Sequence, residues 1–203
     1  METNKPWENP TPAGLVALAV ACACFFALLT GKVEASAMPL IGCWLLGGFV
    51  VQLVVALLDL KGGNATGGNT FLFFSAFFML TGGLEMLLKH RALTAGAPLD
   101  ARIDGWAWAV LAVTLLLWTP AFFKSLSLLS LIVLALDVAL PLIALVDLKV
   151  LTHPAAAHIA AWALLAAGLM GMYLAAGMVV NGALGREVYP MLKGKAASGT
   201  AKR

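Results

Sequence analysis

Charge is what this sequence has least of. Lysine, arginine, aspartate and glutamate make up 11 % of its 203 residues, where a soluble domain carries about 25 %. So few charges cannot cover a water-facing surface, which excludes a soluble domain and leaves lipid as the solvent for the outer surface. The net charge of +3 is small and dispersed, which argues against nucleic acid as a partner. Cysteine is scarce too. Cys22, Cys24 and Cys43 all lie in apolar runs, form neither a disulfide framework nor a zinc spacing, and read as small packing residues. There is no phosphate-binding glycine loop, no nucleophile motif and no pair of carboxylates at catalytic spacing. His153 and His158 are five residues apart, which does not align them on one helix face. No catalytic residue is assigned, no enzyme activity is expected, and neither a metal nor another cofactor is expected.

What the sequence does have is hydrophobic length. Hydrophobic residues are 62 % of the chain, and its mean hydropathy is +0.94. A membrane span needs roughly 17 to 25 mostly apolar residues. Six stretches qualify, over residues 12–30, 39–60, 70–88, 105–123, 126–146 and 156–184. Pro120 is expected to loosen or end the fourth. The backbone must satisfy its own hydrogen bonds in lipid, which helices do within each segment. The fold class is therefore all-α: an integral membrane protein whose six transmembrane helices form a single-domain bundle, to which the family resemblance given below adds a central pore. The connections 61–69 and 89–104 are too short to fold as domains. Residues 1–11 form an N-terminal segment, 12–190 the bundle, and 191–203 a basic tail expected to be disordered. The first ten residues lack the pattern of a cleaved signal peptide, so the first apolar run reads as a span.

Loop lysines and arginines set the expected orientation. Lys5, Lys61, Lys124, Arg186, Lys193, Lys195, Lys202 and Arg203 share the side of the termini. Lys32, Lys89, Arg91, Arg102 and Lys149 lie opposite. Both termini are expected in the cytoplasm, with the protein in the inner (plasma) membrane. The margin comes almost wholly from the C-terminal tail.

Polar groups inside spans are costly and mark places of interest. Asp137 lies near the middle of the fifth stretch, and Pro141 removes the hydrogen bond to its backbone carbonyl. Two readings stand: a titrating or water-holding group on a permeation path, or a protonated carboxyl that ties helices together. Glu85 and Lys89 have the spacing of a surface helix pair. Asp59 and Asp147 sit at span ends near water. Gln52, mid-span, suits either a pore wall or a bond to a neighbouring helix. Ala163, Ala167, Gly171 and Ala175 give the sixth stretch a flat face, which serves packing within the protomer, a pore wall or a subunit interface. Gly42, Gly47 and Gly48 offer a less regular version in the second.

Three segments together resemble the acetate uptake transporter family, the succinate–acetate permeases. Asn9-Pro10-Thr11-Pro12-Ala13-Gly14-Leu15 resembles that family's Asn-Pro-Ala-Pro-Leu-Gly-Leu signature at the start of helix one. Gly68-Asn69-Thr70-Phe71 matches the Gly-Asn-Thr-Phe motif that opens helix three. From His158 to Pro190, residues including Trp162, Tyr173, Asn181, Gly185 and Arg186 recur in the expected order. Read bottom-up, Asn9-Pro10 and Asn69-Thr70 open spans on the same side. Their amides and free helix N–H groups either receive a carboxylate or serve only as caps.

The resemblance implies six helices per protomer, a homohexamer with a pore in each protomer, and uptake of acetate, related small monocarboxylates or succinate linked to protons. It also implies a narrow ring drawn from helices one, three and five. The helix-one position falls on Leu18 rather than Phe, and the helix-three position on Met79 rather than Tyr. The helix-five candidate lies between Leu131 and Val138, which would put Asp137 at or beside the constriction. These departures make the neck less polar and more adaptable. The 61–69 connection is longer than the family leads one to expect. A hydrophobic neck resists a hydrated anion and passes a neutral solute, so a protonated acid would cross without a dedicated proton carrier. Two other readings stay open. One is a channel for a small neutral solute such as urea or a short amide, and the other is a non-transporting subunit of a membrane complex.

Overall fold

The structure, a computed structural model, describes residues 8–123 and 127–192. The predicted basic tail falls almost wholly outside the described residues. Six helices are long and apolar enough to cross a membrane: α1 (Thr11–Leu29), α2 (Met38–Lys61), α3 (Ala65–Ala95), α4 (Arg102–Phe122), α5 (Leu128–Asp147) and α6 (Pro154–Leu184). No strand occurs among the described residues. The chain is a multi-pass membrane protein with an all-helical fold.

Five helices begin and end within three residues of where hydropathy places them. The exception is α3, predicted over 70–88. It starts earlier because the glycine-rich connection is mostly helix. The Asn64 side chain accepts a hydrogen bond from the Gly67 amide and caps the first turn. Gly68 lets that turn sit against Leu60. It ends later because nothing stops a polar helix once it has left the bilayer. It runs on through His90 and Arg91 until Gly96 adopts φ 62° and terminates it. At about 1.5 Å per residue such a helix outreaches a hydrocarbon core of about 30 Å. Pro120 sits in the last turn of α4, and the helix stops two residues beyond it. The α4 start is fixed outside the membrane, where Asp100 accepts hydrogen bonds from the Arg102 amide, Nε and Nη2. The guanidinium holds the Asp100 carboxyl well below the usual carboxylate range.

In the middle of α3, Phe74–Thr81 winds as π-helix. The wider turn brings Phe74, Ser75, Phe78 and Met79 to the interior, and such stretches are associated with functional sites.

The helices pack as two chain-ordered sets, α1–α2–α3 and α4–α5–α6, joined broadly through α1 and α6 and thinly through α3 and α4. Small residues set the close approaches, as lipid-embedded packing requires. A Cβ on Gly42 would meet the Gly83 carbonyl at 2.8 Å, so α2 and α3 touch backbone to backbone. Gly168 lies against Ala19 and Cys22 of α1. The small face of α6 is thereby assigned: Ala167, Gly171 and Ala175 are buried, and Gly171 faces the Leu15 carbonyl. That is packing within the protomer. Gly48 faces Met79, whereas nothing lies near Gly47.

At the α3–α4 seam the fasteners are side chains. Phe73 meets Trp118 and Phe78 meets Trp108, with ring centroids 5.3 and 5.5 Å apart. At the end away from the N-terminus, Lys89 of α3 pairs with Asp104 of α4 while holding Glu85 at 3.6 Å. Glu85–Lys89 is therefore part of an inter-helix ion cluster, beyond the surface pairing read from its spacing.

Candidate functional site

The helix ends on the N-terminal side enclose a cavity of about 310 Å³. Chain direction explains who contributes. The starts of α1, α3 and α5 and the ends of α2 and α4 converge there. Its mouth is polar, with Thr11 of α1, Asp59 of α2 and Asn64, Thr66 and Thr70 around the α3 start. Its inner wall is apolar, with Leu15 and Leu18 of α1, Phe71 and Phe74 of α3, and Ile132, Val133 and Leu136 of α5. From Thr11 to Leu18 is about 10 Å along a helix axis. Further along the same helices the interior is filled by Cys22, Met79 and Leu115, each 0 % exposed.

Two polar side chains reach this wall from α2. Gln52 is 1 % exposed, and its Nε2 donates to the Gly14 carbonyl at 3.3 Å. That carbonyl fixes the amide orientation, because an oxygen facing it would be repelled. Gln52 Oε1 is then left without a hydrogen-bond partner among the described residues. Asp59, 5 % exposed, accepts from Asn64 Nδ2 at 3.2 Å and shares the cavity mouth with Thr11.

The structure sorts the residues singled out in the sequence. Leu18, Thr70 and Phe71 line the cavity. Gly14 adjoins it, and a Cβ there would meet the Phe71 ring at 2.7 Å, so Phe71 owes its position to that glycine. Pro10 and Pro12 form the α1 start. Asn9 is exposed, and its Oδ1 accepts from the Thr11 amide at 3.0 Å, which is a capping contact.

Asn69 differs from expectation. It lies in the second turn of α3, its Nδ2 donating to the Ala65 carbonyl, beside Leu117 and Trp118 on the other side of the helix from the cavity. The α3 cap is Asn64, so Asn69-Thr70 does not present free helix N–H groups. Met79 is buried beyond the inner wall and is not among the lining residues. Leu131 is half-buried and does not line the cavity. Ile132, Val133 and Leu136 represent α5 there.

Asp137 also stands off the cavity, because it is on the α4 side of α5. Its Oδ2 lies 2.7 Å from Thr119 Oγ1, which is 2.8 Å from the Leu115 carbonyl. This is the helix-tying placement. Gly171 packs on α1, as described. Tyr173 belongs to a C-terminal clasp: its hydroxyl donates to the Pro190 carbonyl, and Asn181 binds the backbone of Val188 and Tyr189. The Tyr173-to-Pro190 portion of the third motif is thus a fastening for the segment after α6.

From the sequence alone, Asp59 is an unremarkable helix end. A signal was present: Gln52, Val55, Ala56 and Asp59 are all buried and follow the i, i+3, i+4, i+7 rule of one helix face.

No family model matches the sequence, and no curated protein matches it either. Among solved structures, the chain is similar to the bacterial acetate channel SatP. The TM-score is 0.78 and the identity 24 %, over 91 % of this chain and 99 % of that one. The six-helix architecture is that fold.

Proposed function

We propose that this protein is a channel or transporter for acetate and related small carboxylates, succinate among the candidates, and a member of the acetate uptake transporter family. The observation that carries the reading is the joint one of fold and site. A chain with the fold of an acetate channel over nearly its whole length places its Gly14–Leu18 and Thr70–Phe71 segments around a cavity with a polar mouth and an apolar inner wall. Such a mouth receives a small polar solute, and the apolar wall requires it to shed water before passing. In this reading Leu18, Phe71, Phe74 and Leu136 form the narrowing, Met79 packs behind it, and transport is linked to protons. The loop lysines and arginines support cytoplasmic termini, an inner-membrane location and a cavity open to the cytoplasm. The thinly covered outer faces of α2 and α4, with Trp44 and Trp106 more than 60 % exposed, are consistent with lipid and with copies arranged as a homohexamer.

The test is uptake of radiolabelled acetate into proteoliposomes, with and without an inward proton gradient and against protein-free liposomes. Protein-dependent, gradient-stimulated uptake that propionate competes and urea does not is the expected result. Competition by urea alone would favour the neutral-solute channel. No flux from folded, inserted protein would refute transport and turn attention to partner proteins.

A further inference from the structure

The ring of Phe71 stands between the α1 backbone and the cavity. Gly14 is buried and is not among the lining residues, whereas Phe71 is half-buried and lines the wall. A Cβ added at Gly14 would lie 2.7 Å from Phe71 Cε1, 2.9 Å from Cζ and 3.2 Å from Cδ1, so one edge of the ring rests on bare backbone. Carbon atoms in good contact are about 3.5 Å apart, so the ring would have to yield by about 0.8 Å to make room. Both backbones are pinned. Gln52 Nε2 ties the Gly14 carbonyl to α2 at 3.3 Å, and Gly168 of α6 lies against Ala19 and Cys22. The start of α3 is pressed on α2, where a Cβ on Gly68 would meet the Leu60 nitrogen at 2.9 Å. What can move is the far end of the Phe71 side chain, which turns about two torsions. The free space on its lining side is the cavity.

We propose that Gly14 sets the chain-length limit of the cavity by parking Phe71 against α1, and that the room so left admits unbranched monocarboxylates longer than acetate. This rests on the transport reading and names which carboxylates pass. Gly14 itself touches no solute and is a positioning residue. The alkyl part of such a solute favours the apolar wall, because burying each methylene there is favourable. Width beside Phe71 therefore counts methylene by methylene, and acetate, which has only a methyl group, is the least affected. Alanine is a better helix former than glycine, so α1 itself loses nothing by the exchange. Its effect falls on the ring.

The experiment compares wild type, Gly14→Ala, Phe71→Leu and the double variant in proteoliposomes. Initial fluxes of acetate, propionate and butyrate above the protein-free background are measured separately at one pH, and the longer acids are expressed as a ratio to acetate. Wild type carries propionate as well as acetate. In Gly14→Ala the butyrate-to-acetate ratio falls about tenfold, the discrimination a methylene allows in an apolar site. In Phe71→Leu it rises. The double variant returns to the wild-type ratio or above it, because leucine lacks the Cε1 and Cζ atoms that the new methyl group would meet. A general loss of packing lowers all three fluxes alike and moves no ratio. An unchanged ratio in folded Gly14→Ala overturns the proposal, as does a double variant whose ratio stays low. If Gly14→Ala does not fold, the double variant decides: restored folding with a wild-type or higher ratio supports the proposal, and continued failure to fold overturns it. Wild-type flux of acetate without propionate overturns it too. These adverse results leave the transport reading standing, whereas absence of any wild-type acetate flux overturns that reading and this inference with it.

Discussion

The ion cluster at the far end of the α3–α4 seam offers a sharp test of the packing. The perturbation is Lys89→Met, which keeps the length of the side chain and removes its charge. Asp104 has a side chain only 9 % exposed, while that of Lys89 is 24 % exposed. Removing one partner of a buried pair costs about 3–5 kcal/mol, mostly because the other is left charged and uncompensated. Partial exposure of Lys89 lowers that figure, and loss of the cation that bridges Glu85 and Asp104 raises it, so about 2–4 kcal/mol is expected. Asp104→Asn should cost less, about 1–2 kcal/mol, because Lys89 keeps Glu85 and Asn keeps hydrogen-bonding capacity. If the pair matters as a pair, the double variant recovers much of the loss, with a coupling energy of about 1–3 kcal/mol. The assay is reversible unfolding in detergent followed by tryptophan fluorescence. Trp108 lines the same seam as Asp104 and is a natural reporter. Single-variant effects that add to within about 0.5 kcal/mol in the double variant would refute the reasoning.

Gly42→Val should destabilise the α2–α3 contact by about 1–3 kcal/mol, the usual cost of overpacking. The obstruction there is the Gly83 carbonyl rather than a side chain that can swing away, and thermal unfolding in detergent reads the loss. Asp137→Asn should retain acetate flux within about twofold, because Asn still bonds Thr119 and the position is off the cavity; with the net worth of one hydrogen bond at about 1 kcal/mol, its stability should shift by no more than that. A loss of flux in folded protein would return Asp137 to the permeation path. Acid should loosen the start of α4. The Asp100 carboxyl is held low in the folded state by Arg102, so its stabilising contribution is present above the unfolded value of about 3.9 and is lost as pH falls through the lower folded value. Hydrogen-exchange protection at the Arg102–Asp104 amides, relative to the intrinsic rate at each pH, should fall over that acid range and stay flat near neutrality. A loss of protection already complete at neutral pH would contradict the assigned cause.

The spans were legible because a bilayer imposes one strong rule on composition, and that rule acts residue by residue along the chain. Features set by a single helix came through in the same way. Pro120 marks the end of α4, and the small stripe of α6 reads as a close-packing face. The α3 boundaries differ from the hydropathy limits because hydropathy reports where a helix leaves lipid, while capping reports where it starts. Asn64 and Gly96 were visible as such residues, but a run containing Gly67 and Gly68 reads as a loop until Leu60 is known to lie over it.

Contacts between helices were the harder part, and the candidate site is made of them. Gly14 takes its meaning from Phe71, Asp59 from Thr11 and Asn64, and Asp137 from Thr119. Each partner lies on another helix or beyond a turn, at a separation no local period encodes. Asp137 drew attention because a charge at mid-span is expensive wherever it points. Asp59 drew little, because a charge at a helix end is cheap. The structure reverses their standing by direction alone. The α2 face carrying Gln52 also carries Asp59, and it turns toward the cavity. The α5 face carrying Asp137 turns toward α4. The energetic cost of a polar group shows that it needs an explanation, and only its orientation decides whether a solute or a neighbouring helix supplies it.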